Sequence, residues 1–188
     1  MRVFLVALLF LAPGLAFAGA VELGLSTSYR KTTVNKTNFS SAESYTGSVG
    51  YYFTESTALE GSYTTAYSVA VTDESQTKGY FSIYGLDFIL TFGGKDAPFR
   101  PYVKIGAAQV YKEIRYQQTG YDPLPPVKSS GLTPSAGVGF RILLTDNFSL
   151  KVGVEGWQSP INESGASSGE SRDTTYDISA KAGVSWLF

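Results

Sequence analysis

Ten charged side chains share one parity along alternating segments of the chain, and they are the first candidates for chemistry. They are Glu22, Arg30, Glu60, Asp87, Lys104, Arg141, Lys151, Glu155, Asp177 and Lys181. Five are acids and five are bases, so they can neutralise one another as salt bridges. Paired carboxylates such as Glu60 and Asp87 can also carry out acid–base catalysis.

Two absences from the composition limit that catalytic chemistry. The 188 residues include no histidine and no cysteine. Without histidine a Ser-His-Asp triad is impossible, and without cysteine there is neither thiol chemistry nor a disulfide frame. The acidic residues in the polar links match no calcium-loop spacing. Salt bridging is the more economical role for the charged set, and the sequence predicts no catalytic residue, no metal site and no cofactor.

The segments that carry these charges alternate between apolar and polar side chains. A period of two predicts β-strands, and no stretch after residue 20 has a convincing helical period. In the last segment, for example, Val184 and Trp186 alternate with Gly183 and Ser185. Eight such segments occur, at residues 21–26, 44–53, 59–67, 80–92, 103–108, 135–144, 148–155 and 177–188. We therefore expect an all-β chain of eight strands.

The links between the expected strands alternate in length. Three are short and rich in Gly, Asp, Asn and Thr, as tight hairpins are. Four are long and polar. The short links lie at residues 53–57, 93–98 and 145–147, and the long links at 31–42, 68–78, 113–130 and 159–172. Strict alternation predicts an antiparallel up-and-down sheet with every long loop at one end.

The first 18 residues have the character of a cleaved signal peptide. Arg2 provides a positive start, residues 3–12 are apolar, and Ala16-Phe17-Ala18 has the small-x-small form of a cleavage site. The apolar run is too short for a membrane span, which needs about 20 residues. We expect export of the chain, with residues 1–18 removed and 19–188 forming one β-barrel domain.

Alternation alone does not say whether the apolar face lies inside or outside a barrel. A soluble, lipocalin-like carrier would turn it inward around a ligand, whereas a membrane barrel turns it toward lipid. The polar parity is rich in Gly and Ser, which suits a narrow lumen, and charged residues make up only 16% of the chain. Aromatic residues sit near the expected strand ends, as interfacial girdles do. These features favour lipid outside.

The last eight residues, KAGVSWLF, follow the order polar-x-Gly-x-x-apolar-x-aromatic. This order resembles the signal by which the outer-membrane insertion machinery recognises its clients. The matching positions are Lys181, Gly183, Trp186 and Phe188.

Two further stretches carry a family resemblance. FRPYVKIGAA at 99–108 and AGVGFRILLTDNFSLKVGVEG at 136–156 are similar to segments of the eight-stranded outer-membrane β-barrels of the OmpA transmembrane-domain and OmpX type. The resemblance implies a transmembrane, antiparallel, up-and-down barrel in a Gram-negative outer membrane. It also implies a lumen plugged by paired charges. Because the signal-like stretch ends the sequence, we expect no peptidoglycan-binding domain.

The expected role is structural or one of surface interaction. The protein would contribute to envelope integrity, and its long loops could in addition mediate adhesion. Tyr116 and Tyr121, beside three prolines, are candidate loop contacts for an unidentified extracellular ligand. Expected partners are outer-membrane lipid and lipopolysaccharide, with the insertion machinery and periplasmic chaperones during assembly. We expect a monomer, and a net charge of −1 gives no basic field for nucleic acid. The alternatives are a narrow porin-like or small-hydrophobe channel and a soluble carrier.

Overall fold

Eight antiparallel strands form one closed barrel in the computed structural model of the chain. It describes residues 19–33, 38–94, 97–118, 120–122, 124–159 and 175–188. The predicted signal peptide at 1–18 lies outside these residues and stays a prediction. The strands are β1 (Val21–Thr33), β2 (Phe39–Tyr52), β3 (Thr57–Val71), β4 (Ser75–Thr91), β5 (Phe99–Gln118), β6 (Val127–Leu143), β7 (Phe148–Ser159) and β8 (Thr175–Leu187).

Each strand pairs with the next along the chain, and β8 pairs with β1. This arrangement confirms the predicted fold class and the predicted number of strands. Among the described residues, no helix has the length and apolar character needed to cross a membrane.

The strands extend well into the long links that the sequence predicts. The clearest difference is at 68–78, where β3 ends at Val71 and β4 begins at Ser75. Thr72 closes this tight turn by accepting a hydrogen bond from the Ser75 backbone N–H at 3.1 Å. The ladder continues because backbone pairing does not depend on side-chain polarity. From Ser75 to Lys78, polar residues on both faces hide the alternation on which the prediction rests.

Inward and outward positions differ sharply in burial. On β5, Lys104 and Ala108 are buried, whereas Ile105 is 65% exposed and Val103 is 37% exposed. Large apolar side chains are exposed on all eight strands, and Leu132 reaches 73%. A continuous apolar belt of this kind, around a polar interior, is typical of a membrane barrel and reverses the pattern of a soluble carrier.

The outward residues of β5 show where this belt ends. None of those between Phe99 and Tyr111 is charged, and the first charge is Glu113. Between Phe99 and Tyr111, β5 is about 40 Å long at about 3.3 Å per residue, and a tilt of about 40° leaves about 30 Å along the barrel axis. The hydrocarbon core of a bilayer is also about 30 Å thick.

Aromatic side chains line both edges of the apolar belt. At the short-link edge, Trp186 contacts Phe148 and Phe188, with ring centroids 5.8 Å and 6.4 Å apart. At the long-loop edge, Tyr67 contacts Tyr80 at 5.1 Å. Of the predicted interfacial aromatics, the side chain of Tyr176 lies outside the described ones. The others lie on the outer face, where all but the half-buried Phe148 are exposed: Tyr29, Tyr45, Phe53, Tyr80, Phe92 and Phe148.

The β1–β8 seam closes the barrel with the shortest ladder. Six residue pairs join these strands, from Glu22–Leu187 to Thr27–Ala182. The described residues of the other ladders form nine to seventeen pairs. Gly183 lies in this seam so close to β1 that an added Cβ would overlap the Leu25 carbonyl oxygen and lie 2.6 Å from Ser26 Cα.

We expect Gly183→Ala to lower the free energy of unfolding by about 1–3 kcal/mol, because the backbone of β1 must move to admit the methyl group. The matched control is Gly50→Ala on β2, also facing inward, where the new Cβ would lie 3.7 Å from Glu22 Cβ. Urea unfolding in lipid vesicles measures both. Equal losses for the two variants would show that the seam is not tightly packed.

Candidate functional site

Lys104 lies at the centre of the lumen and contacts three carboxylates. Its Nζ is 2.6 Å from Glu155 Oε1, 3.3 Å from Glu60 Oε1 and 3.3 Å from Asp87 Oδ2. An ammonium group has three N–H donors, so one lysine can serve all three acids. The acids come from β3, β4 and β7, and the lysine comes from β5. All four side chains point into the barrel at the same level.

Further ion pairs continue from this centre in both directions. Lys151 Nζ bridges Glu60 at 3.0 Å and Glu22 at 3.2 Å, and Arg141 contacts Glu22 at 2.6 Å. On the other side, Lys181 contacts Glu155 at 2.7 Å. We call this connected set of four acids and four bases the lumen network: Glu22, Glu60, Asp87, Lys104, Arg141, Lys151, Glu155 and Lys181.

The lumen network is electrically neutral and largely shielded from water, with Lys151 and Glu155 its most exposed members at 15% and 23%. Lys104 has 5% of its side chain exposed, and Glu22 and Arg141 have the same fraction. Buried charges are costly unless they are paired and hydrogen-bonded, and removal of one partner leaves the other unpaired. Neutrality and connectivity therefore make the eight side chains depend on one another.

Tyrosines and a serine add hydrogen bonds and ring contacts to the lumen network. Tyr52 Oη donates to Glu22 Oε2 at 2.7 Å, and Ser135 Oγ donates to Asp87 Oδ1 at 2.6 Å. Arg141 lies over the Tyr52 ring at 5.3 Å and Lys151 over the Tyr102 ring at 5.8 Å, as cation–π contacts require. Neither tyrosine is among the site residues predicted from the sequence. The signal that could have identified them is parity: Tyr52 shares the inward parity of Gly50 on β2, and Tyr102 shares that of Lys104 on β5.

Apolar clusters lie above and below the lumen network. Toward the short links, Tyr52 and Tyr102 pack with Ala58 and Ile89. Toward the long loops, the cluster consists of Ile83, Ala108 and Val110, with Phe81 and Trp157 against it. A small cavity of about 30 Å³ remains beside the lumen network, which is room for one or two water molecules.

Two of the ten charges predicted for the lumen lie outside this network. Arg30 is exposed near the long-loop end of β1, because it lies too far along the strand from Glu22 to reach the lumen network. Asp177 shares the inward parity, but its Oδ2 has no hydrogen-bond partner among the described residues. Arg100, which the sequence analysis did not include, is buried and donates from Nη2 to the Glu55 carbonyl oxygen at 2.7 Å.

The four residues of the signal-like C-terminal stretch fall on both faces of β8. Lys181 belongs to the lumen network, and Gly183 lies in the β1–β8 seam. Trp186 and Phe188 face outward and are 49% and 68% exposed. The backbone N–H of Phe188 donates to the Val21 carbonyl oxygen at 2.8 Å, which fixes the strand end. Their part in assembly stays a prediction.

The candidate loop contacts lie at the long-loop end. Tyr116 is 42% exposed near the end of β5, and Tyr121 is 72% exposed in the turn that follows. The Tyr121 backbone N–H donates to the Gln118 carbonyl oxygen at 3.2 Å. Both rings are accessible to a ligand, and binding through them stays a prediction.

Comparison with known proteins agrees with this architecture. Over 121 residues the chain is 30% identical to outer membrane porin F of Pseudomonas aeruginosa, a match that covers 63% of the chain. The chain spans about a third of that relative's length, since the match covers 33% of it. The activity of the whole relative is therefore not transferred by this match.

Solved structures share the fold at low sequence identity. The N-terminal β-barrel domain of Pseudomonas aeruginosa OprF matches with a TM-score of 0.54 and 20% identity, over 90% of this chain and 97% of that chain. Neisserial surface protein A matches with a TM-score of 0.61 and 14% identity, with the same coverage. Ail of Yersinia pestis gives 0.51 and 11%, again over 90% and 97%.

The model of one protein family matches nearly the whole chain. It is described as the outer membrane protein beta-barrel domain, and it covers residues 3–188. The match agrees with the closed eight-stranded barrel and its exposed apolar belt. The chain belongs to the outer membrane protein beta-barrel family, which confirms the resemblance seen in its sequence and places it in the outer membrane of a Gram-negative bacterium.

Proposed function

We propose that this protein is a structural element of the outer membrane whose lumen is closed to ions, and that its long-loop end serves surface interactions. The single observation that carries the proposal is the continuity of the lumen network. Seven ion pairs connect eight side chains, six of them buried and two half-buried, from seven of the eight strands. A network of that extent cross-links the barrel wall and fills its axis.

The interior around the lumen network supports a plug rather than a conduction path. The small cavity of about 30 Å³ beside the lumen network does not provide a continuous column of water. An ion would also have to pass the apolar clusters at both ends, where Ala58 is 1% and Val110 is 0% exposed. Dehydrating an ion in such surroundings costs several kcal/mol or more.

The partners follow from the membrane environment. The exposed apolar belt requires lipid, and the long-loop end projects beyond it, so lipopolysaccharide is the proposed neighbour in the outer leaflet. We assign the insertion machinery and periplasmic chaperones to assembly. We propose a monomer because β1 and β8 close the barrel on itself and no whole strand of the described barrel is left as a free sheet edge. No catalytic step forms part of the proposal, since the lumen acids are occupied by lysines and Arg141.

A second candidate is a narrow porin-like channel. It is favoured by the similarity to a protein whose name is outer membrane porin F. In this candidate, the ion pairs around Lys104 and Lys151 would rearrange to admit ions.

Conductance in planar lipid bilayers separates the two candidates. We expect purified protein to give no large, steady single-channel current. The matched control is a quadruple variant in which Ser replaces each of four residues, Glu60, Lys104, Lys151 and Glu155. It removes two acids and two bases and leaves the net charge unchanged. That variant should conduct, because the centre of the plug becomes a water-filled space. Steady currents from the parent protein would overturn the closed-lumen proposal in favour of the porin-like candidate.

A further inference from the structure

The outward face of β4, β5 and β6 carries a group of cations at the long-loop edge of the apolar belt. We call Lys78, Arg115 and Lys128, with the carboxylate of Glu113, the cationic patch. Arg115 and Lys128 have 59% and 72% of their side chains exposed. None of these four residues is among the site residues predicted from the sequence, and none belongs to the lumen network.

The strand register places two of these cations directly opposite each other. Lys78 pairs with Arg115 across β4 and β5, and Glu113 pairs with Lys128 across β5 and β6. Like charges at directly opposed positions of a sheet destabilise it. An anion bound between Lys78 and Arg115 would remove that repulsion.

Glu113 does not neutralise the group. Its Oε1 contacts Arg115 Nη2 at 2.7 Å and its Oε2 contacts Lys128 Nζ at 3.5 Å, so both oxygens are engaged. Three cations and one carboxylate leave two positive charges on this part of the outer surface. Arg115 is held in place by the Tyr80 ring, 5.2 Å from its Cζ, so less rotamer freedom is lost when it binds an anion.

The position of the cationic patch selects the kind of anion. Below it, outward tyrosines contact one another, with Tyr84 5.0 Å from Tyr63 and 6.1 Å from Tyr111. Tyrosines at this level are typical of the headgroup region. A recess of about 360 Å³ lies among Tyr80, Tyr111, Glu113 and Lys128. The surface therefore combines positive charge, aromatic rings and adjacent lipid.

We propose that the cationic patch binds the phosphate groups of an outer-leaflet lipid headgroup, with the lipid's apolar part along the tyrosines and the belt. The guanidinium of Arg115 is suited to bidentate contact with phosphate, and the lysines add point charges. A free anion would gain the charge interaction but not the apolar contact. The inference rests on the proposed outer-membrane surface role, yet it does not depend on whether the lumen conducts.

Native mass spectrometry of the folded protein in a non-ionic detergent tests the inference. The probes are diphosphorylated lipid A, the same lipid without its phosphates, and inorganic phosphate. We expect Lys78→Gln/Arg115→Gln to weaken binding of diphosphorylated lipid A by about tenfold or more, since each charged hydrogen bond contributes about a factor of ten. Binding of the dephosphorylated lipid should not change.

The matched control is Arg30→Gln, an exposed arginine at the same end of the barrel but on the lumen-facing parity of β1. It should bind lipid A as the parent does. Heat-modifiable gel mobility verifies that every variant is folded. Equal affinity of parent and double variant for diphosphorylated lipid A would overturn the proposal. So would inorganic phosphate binding as tightly as the lipid, because the apolar contact would then contribute nothing.

Discussion

Lys104→Met is expected to lower the free energy of unfolding by about 3–5 kcal/mol, the loss seen when a buried ion pair is broken from one side. Lys104 contacts three acids, but its loss does not leave all three unpaired. Glu60 still has its ion pair with Lys151, and Glu155 still has its ion pair with Lys181. Asp87 has no other ion pair among the described residues and retains only the hydrogen bond from Ser135. The cost should therefore arise mainly at Asp87.

A second substitution tests that explanation. Lys104→Met/Asp87→Asn restores the balance at three acids and three bases, so we expect the double variant to be more stable than Lys104→Met alone. Lys128→Met, with the same change at a side chain 72% exposed, should alter stability by about 0.5 kcal/mol or less. Urea unfolding in vesicles measures all three. A double variant that loses the sum of both single effects would contradict the network account.

Phe188→Ala is expected to slow assembly by the insertion machinery about fivefold, which corresponds to the loss of about 1 kcal/mol of recognition. Substitution is preferable to deletion, because deletion also removes the backbone hydrogen bonds between Phe188 and Val21. The ring itself is 68% exposed and contacts Trp186 at 6.4 Å. Deletion of Phe188 should slow assembly at least as much as Phe188→Ala.

The matched control is Phe53→Ala, an outward aromatic at the same end of the barrel that is 53% exposed and contacts Tyr51 at 5.2 Å. Both variants should lose similar amounts of unfolding free energy. Only Phe188→Ala should insert more slowly into vesicles that contain the insertion machinery, and neither should differ from the parent in vesicles without it. Equal rates for Phe188→Ala and the parent with the machinery present would refute the assembly role.

Alternation along single strands was sufficient to predict which face of each strand is polar. It placed Glu22, Glu60 and Lys104 on the inner parity because side-chain direction in a strand depends only on even or odd spacing. It could not say how far along the barrel a charge lies. Arg30 has the same parity as Glu22 but is exposed near the long-loop end of β1, so it does not reach the lumen network.

The choice of partner was also beyond the sequence. Glu22 meets Arg141 and Lys151, which are more than a hundred residues away in the chain. That meeting depends on the stagger between strands and on closure through β1 and β8, which are properties of the whole barrel. Tyr52 and Tyr102 could not be predicted for another reason: aromatic residues in a membrane barrel usually face lipid, whereas Tyr52 donates to Glu22 and the Tyr102 ring lies against Lys151.

The long-range pairs of the lumen network have a consequence for the order of folding events. Arg141 and Lys151 find Glu22 only when the last strands reach the first, and those contacts have a high sequence separation. Such contacts form slowly because the loop-closure entropy is lost before they contribute. A partly assembled sheet would therefore hold uncompensated charges beside lipid. Complete closure is the first state in which they are neutral, so intermediates short of it should be sparsely populated and the barrel should unfold as one cooperative unit.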